Sequence, residues 1–215
     1  MTDCIEYKIA KKSLNSNTKL VTNSAKLVEY TVKSNHLGSE KAIVDTLANE
    51  VVWERVSNQL DERKRSYLCS SSFTRIELKQ RQHAQQKGRY RFYWCGEEYM
   101  WKHYGYTSHH FKCVHTNSGE VVADFRYLTW AVLEMGRLKL FPKDYLRTAG
   151  LKEFIIFSCI DLLEDSLLAK KGSSPLLLAA SADAKILGAA GYHHRHAASV
   201  SSDLETTPFL ASMKA

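Results

Sequence analysis

The chain has 215 residues, of which 44% are apolar and 25% charged, with a formal net charge of +7. That apolar share builds one sizeable folded domain with tails and excludes a chain disordered throughout. The five cysteines, Cys4, Cys69, Cys95, Cys113 and Cys159, are widely spaced without a C-x-x-C pair, which fits reduced thiols in the cytosol better than a disulfide framework.

The basic balance points to an anionic partner, either nucleic acid or an anionic membrane surface; the alternative is a basic surface kept for solubility. The opening "MTDCIEYKIAKKSLNSN" lacks the apolar run of a secretory signal. The expected location is cytoplasmic, peripheral at a membrane if the anionic partner is lipid.

In chain order, residues 1–22 are rich in Lys, Asn, Ser and Thr and read as a flexible arm. From 23 to 171 the dominant period is two, the signature of half-buried strands. "KLVEYTVK" (26–33) sets Val28, Tyr30 and Val32 on one face, and 40–57 reads as two strands about a turn near Ala48 and Asn49. "FTRIELK" (73–79) and "RYRFYWC" (89–95) follow, the second setting Tyr90, Phe92 and Trp94 against Arg89, Arg91 and Tyr93. Strands are then expected over 98–103, 109–115, 120–127 and 137–141, with turns at "CGEE", "TNSG" and "MGR". Many short strands with close turns indicate an antiparallel sheet, sandwich or barrel.

One long helix is expected over 152–170, "KEFIIFSCIDLLEDSLLAK". Its first half is apolar around the whole circumference, unlike a surface helix. Asp161, Glu164 and Asp165 interrupt it too early for a membrane span of about 20 apolar residues. Such a helix would fill a barrel of about a dozen strands, which is wider than side chains alone can fill. Ser158, Asp161 and Asp165, at i, i+3 and i+7, must then face a barrel mouth or a partner arginine, because an unpaired buried carboxylate is costly. The residues alone leave a core helix on an open sheet as the alternative. Beyond it, 172–215 is rich in Ala and Ser with balanced charge and reads as a mostly disordered tail.

The order "FYWCGEEYMWK" (92–102), "HTNSGEVVADFRY" (115–127), "GRLKLF" (136–141) and an apolar C-terminal helix resembles the tubby C-terminal-like proteins, including the LURP-one-related group and, more distantly, the phospholipid scramblases. The likeness runs over roughly residues 26–171 and is greatest to small fungal-type members. It implies a mainly β fold: a closed antiparallel barrel of about twelve strands wrapped around a hydrophobic C-terminal helix. It also implies a non-enzymatic module for phosphoinositide-type headgroups at a cytoplasmic membrane surface. No lipid-binding motif of the family is matched residue by residue, and the cysteine cluster of the scramblases is missing.

The residues themselves offer one candidate anion site. The run 63–91 holds nine cations against Glu77 alone. Alternation places Arg75 and Lys79 on one strand face, and Arg89 and Arg91 on the face opposite the aromatics. If the two strands are neighbours, these four point outward together as the ligand-binding patch. Four cations at about 1 kcal/mol each near an anionic surface give roughly 4 kcal/mol, which is about millimolar binding. A headgroup pocket or avidity would have to add to that. A protein-interaction or nucleic-acid adaptor using the same basic face is the alternative. No catalytic motif is present, and Cys113 and His115 share a strand face without a third partner. His193, His194 and His196 lie close together, but without a second cluster at zinc spacing. The expectation is no enzyme, no cofactor and no metal.

Overall fold

A computed structural model describes residues 4–35, 40–56, 64–80, 89–104, 109–141 and 150–172, with side chains to 167. Among these residues twelve strands precede one helix. They are β1 (Ile5–Lys11), β2 (Lys19–Thr22), β3 (Val28–Ser34), β4 (Lys41–Asp45), β5 (Glu50–Val56) and β6 (Lys64–Cys69), then β7 (Arg75–Gln80), β8 (Arg89–Trp94), β9 (Glu97–Tyr104), β10 (His110–His115), β11 (Val121–Tyr127) and β12 (Glu134–Leu140). Each pairs antiparallel with its sequence neighbours, and β1 pairs with β12, so the sheet closes into a barrel. The helix α1 (Leu151–Gly172) runs through its middle. At 1.5 Å per residue its 22 residues span about 33 Å.

The barrel makes sense of the greasy helix. From Phe154 to Leu163 every side chain is at most 2% exposed, ten consecutive positions around the full circumference. The inner wall answers with aromatic rings: Tyr67 meets Phe154 and Phe157 edge-on, and Phe92 meets Phe154 at 4.8 Å. Trp101 donates its indole N–H to Ser158 Oγ at 3.0 Å, so the first polar residue of the expected stripe is satisfied inside the wall. Phe92, Trp94, Tyr99 and Trp101 are core, as alternation requires, and Tyr90 packs against that core. Among the described residues no helix is long and apolar enough to cross a membrane.

Three expectations need correction. Residues 1–22 are not an arm throughout: Ile5–Lys11 and Lys19–Thr22 are barrel strands, with Tyr7, Ile9 and Val21 in the core. Short strands carrying few apolar residues belong to the barrel because both edges are paired. A strand at Lys64–Cys69 was not expected at all. "MGR" is not a turn. Gly136 lies within β12, where a Cβ would fall 2.4 Å from Arg126 O and 2.5 Å from the Phe125 ring, so glycine is there for packing. The Cys95-Gly96 turn is as expected: both residues have positive φ and link Trp94 to its partner Glu97, the geometry of a two-residue hairpin. The tail beyond 172 and the histidines within it lie outside the described residues.

Candidate functional site

Strand alternation and pairing fix the outer basic face. Lys79 on β7 stands directly opposite Arg91 on β8, and Lys64 on β6 stands opposite Lys79 on its other side. A second row runs Arg89, Lys102, Lys112 across β8, β9 and β10. Like charges set directly opposite on a sheet repel, so these rows hold a concentrated positive potential.

Glu77 is the counterion of the first row. It bonds Lys64 at 2.7 Å and Lys79 at 3.0 Å, and those hydrogen bonds hold its carboxyl below the usual range. Asp124 partly offsets the second row, 3.8 Å from Lys112. Of the four expected site residues, Lys79, Arg89 and Arg91 thus come together. Arg75 is outward too but lies four residues along β7 from Lys79, roughly 13 Å away at strand rise, and donates to Ser66 Oγ. Arg63, Arg81 and Lys87 of the same run lie outside the described residues.

The inner face holds a second charged group, whose acidic stripe the sequence indicated but whose cations it did not identify. Asp161, fully buried on α1, is met by Lys41 from β4, by Arg55 of β5 at 3.1 Å and by Arg65 of β6 at 3.1 Å, while Tyr67 donates to it at 2.6 Å. One turn on, Glu164 takes Lys19 and Lys41, and Asp165 takes Arg65. Burial alone would neutralise Asp161, but the charges of Lys41, Arg65 and Arg55 outweigh it and hold its carboxyl far below the ordinary value. Burial also dominates at the lysines: it lowers Lys41, and with the like charge of Lys41 it lowers Lys19 to about 8. The partner arginine expected for the Asp161 and Asp165 stripe is therefore Arg65. The signal that could have revealed this group is a cation at or next to the start of β2, β4 and β6 that falls on the inward face, in phase with Val21, Ile43 and Tyr67.

These contacts orient the barrel. The end where α1 begins, the entry end, carries Glu29, Asp45, Glu50, Glu97, Glu120 and Glu153. The end its C-terminal half reaches, the exit end, carries Lys19, Lys41, Lys64, Arg65 and Arg89, each at or next to the start of its strand. A depression of about 560 Å³ at the exit end lies against Lys33, Lys41 and Arg55.

Cys113 and His115 offer no activated pair. Burial pushes the Cys113 thiol up, the reverse of what a nucleophile needs, and His115 is engaged with Ser118 and Glu97. Among the described residues no group of His, Cys, Asp or Glu is set to hold a metal ion.

No family model matches the sequence, and no curated protein matches it. Among solved structures, the chain is similar to the X-ray structure of a protein from Arabidopsis thaliana, AT5G01750, at 12% identity and a TM-score of 0.49, over 77% of this chain and 92% of that one.

Proposed function

We propose that the protein is a tubby-like, LURP-one-related barrel that acts as a non-enzymatic binding module for anionic phospholipid headgroups at a cytoplasmic membrane surface. The observation that carries this reading is the facing pair Lys79 and Arg91, extended by Lys64 and by the row Arg89, Lys102 and Lys112. Two rows of side-by-side cations on rigid strands give a phosphorylated headgroup several donors without first ordering a loop. Arg75 belongs to the same outward face and adds to its field at longer range.

The test is sedimentation with vesicles of phosphatidylcholine, alone and with phosphatidylserine or a phosphoinositide. Wild type should sediment with the anionic vesicles only. Reversing Arg89 and Arg91 to Glu should abolish this and leave stability within about 0.5 kcal/mol, as for ordinary surface changes. A soluble inositol phosphate should compete where inorganic phosphate at the same concentration does not. Indifference of the wild type to all anionic vesicles overturns the reading. Retention of short RNA or DNA in its place would give the patch to nucleic acid.

A further inference from the structure

The connection from β11 to β12 is unusual for an exposed turn. Residues 128–133 read "LTWAVL", and four of the six are large apolar side chains held in water: Leu128 at 36% exposure, Trp130 at 95%, Val132 at 73% and Leu133 at 41%. Scattered exposed apolar residues are ordinary, but a contiguous cluster marks an interaction surface. The loop has a defined base. Leu128 N–H donates to Met135 O at 3.0 Å, and Lys11 N–H donates to Leu133 O at 2.9 Å. Trp130 is therefore carried on a tethered hairpin that belongs to the barrel wall.

Charge decides what the loop meets. It stands at the exit end, since β11 ends there: Tyr127 packs on His109, which hydrogen-bonds Ser166 of α1. The Lys11 bond draws Lys11 and the exposed Lys12 against its base, and Arg126 flanks it on β11 with 72% of its side chain exposed. Glu134, at its foot, is taken up by Lys8 at 2.6 Å and Arg137 at 3.3 Å. An exposed indole among cations suits the boundary of an anionic bilayer, where the ring sits at headgroup level and the cations meet lipid phosphates. The entry end supplies the contrast. Its exposed tips Leu27, Leu47 and Phe73 share that end with Glu29, Asp45 and Glu50 as well as Lys26 and Arg75, a mixed charge that gives an anionic surface no net attraction.

We infer that the protein docks end-on, exit end down, with the Leu128–Leu133 loop inserted into the interfacial layer of an anionic membrane and Trp130 as its anchor. This rests on the headgroup reading above and adds to it an orientation and a residue outside the basic patch. The loop supplies the apolar contact that surface charge alone lacks, so the two together bind where either alone is weak.

The wild-type protein reports on this directly. Trp53, Trp94 and Trp101 are at most 7% exposed, so tryptophan fluorescence accessible to acrylamide comes from Trp130. With phosphatidylserine vesicles, Trp130 should become protected from acrylamide and quenched by lipids brominated on their acyl chains. Trp130→Ala should melt like wild type, lose both signals and bind at least about tenfold more weakly. If the protein sediments but Trp130 stays open to acrylamide, the insertion is overturned and the headgroup reading stands. If Arg89 and Arg91 reversal changes nothing while Trp130 inserts, the patch falls and the loop stands. Equal binding to phosphatidylcholine alone overturns the choice of an anionic surface. Absence of sedimentation with either vesicle overturns the inference together with the headgroup reading. Protection of Trp130 without lipid, rising with protein concentration, would give the loop to a second copy of the chain and overturn it also.

Discussion

Tyr67 on the inner face of β6 donates its phenol hydrogen to Asp161 on the enclosed helix across 2.6 Å, and neither side chain touches solvent. Burial and the neighbouring carboxylate push the Tyr67 phenol well above its ordinary pKa, so it stays a donor at any working pH. The pair stands at the level where the helix changes from apolar to acidic and the wall from aromatic to cationic.

Asp161→Ala should be among the costliest single changes in the barrel. It leaves Lys41 and Arg65 buried without this partner, and breaking a buried pair costs about 3–5 kcal/mol. A urea midpoint within error of wild type would show that the cations do not depend on it. The acid limb carries the same information. Because the folded carboxyl lies far below its ordinary value, its contribution is complete above pH ~4 and lost as pH falls toward the folded value. The stability difference between wild type and Asp161→Asn should be flat near neutrality and shrink below pH ~4.

Lys19 has the opposite sign. Its folded pKa of about 8 lies below the ordinary 10.5, so the unfolded chain holds the extra proton between those values. The charged form costs stability at neutral pH, and that cost is relieved as pH rises from 8 to 10.5. Lys19→Met also removes the ion pair with Glu164, so the test is the slope: wild type should gain stability relative to the variant as pH rises from 8 to 10.5. A stability difference between the two that does not change with pH would contradict the shift.

Much of the fold was legible because a pleated strand with one buried face must alternate. That pattern gave β3, β4, β5 and β7 through β11, and the full-circumference apolarity of Phe154–Leu163 gave the enclosed helix. Three strands stayed hidden: β1 inside the polar stretch taken for an arm, and β2 and β6 for a shared physical reason. β2 and β6 carry an inward lysine or arginine at or next to their start, Lys19 and Arg65, so a charged residue stands where the apolar pattern needs a core side chain. An inward cation reads as strand core only once Asp161, Glu164 and Asp165 of α1 are known to lie opposite it. The outer patch was legible as a face, but the spacing of its members was not. Register decides that Lys79 meets Arg91 and that Arg75 lies a strand length away.

Gly136→Ala tests the close approach within β12. The new methyl meets Arg126 O, a backbone atom that cannot swing aside, and the Phe125 ring. The expected loss is about 1–3 kcal/mol, as for overpacking. A neutral result would mean that β11 and β12 separate there at little cost.

Glu77→Gln tests whether the outer rows act as a field. Glu77 occupies both Lys64 and Lys79, so its neutralisation releases two cations to the surface without disturbing the core. Sedimentation with phosphatidylserine vesicles should strengthen about fivefold, the effect of about 1 kcal/mol per charge near such a surface. The gain should vanish in high salt. Unchanged or weaker binding would remove this face from the interaction.

The seam between β1 and β12 sets the order in which the molecule can assemble. Glu6 and Arg137 bond across it from positions 131 apart, while the other described pairings join sequence neighbours. Ten enclosed positions, Phe154 and Phe157 among them, make α1 too bulky to thread a finished ring. The sheet therefore has to close around the helix, and its β1–β12 edge is the pairing that joins the most distant parts of the chain. Refolding should be slow, as contacts so distant along a chain dictate, and amide protection on β1, β12 and α1 should rise in one late phase.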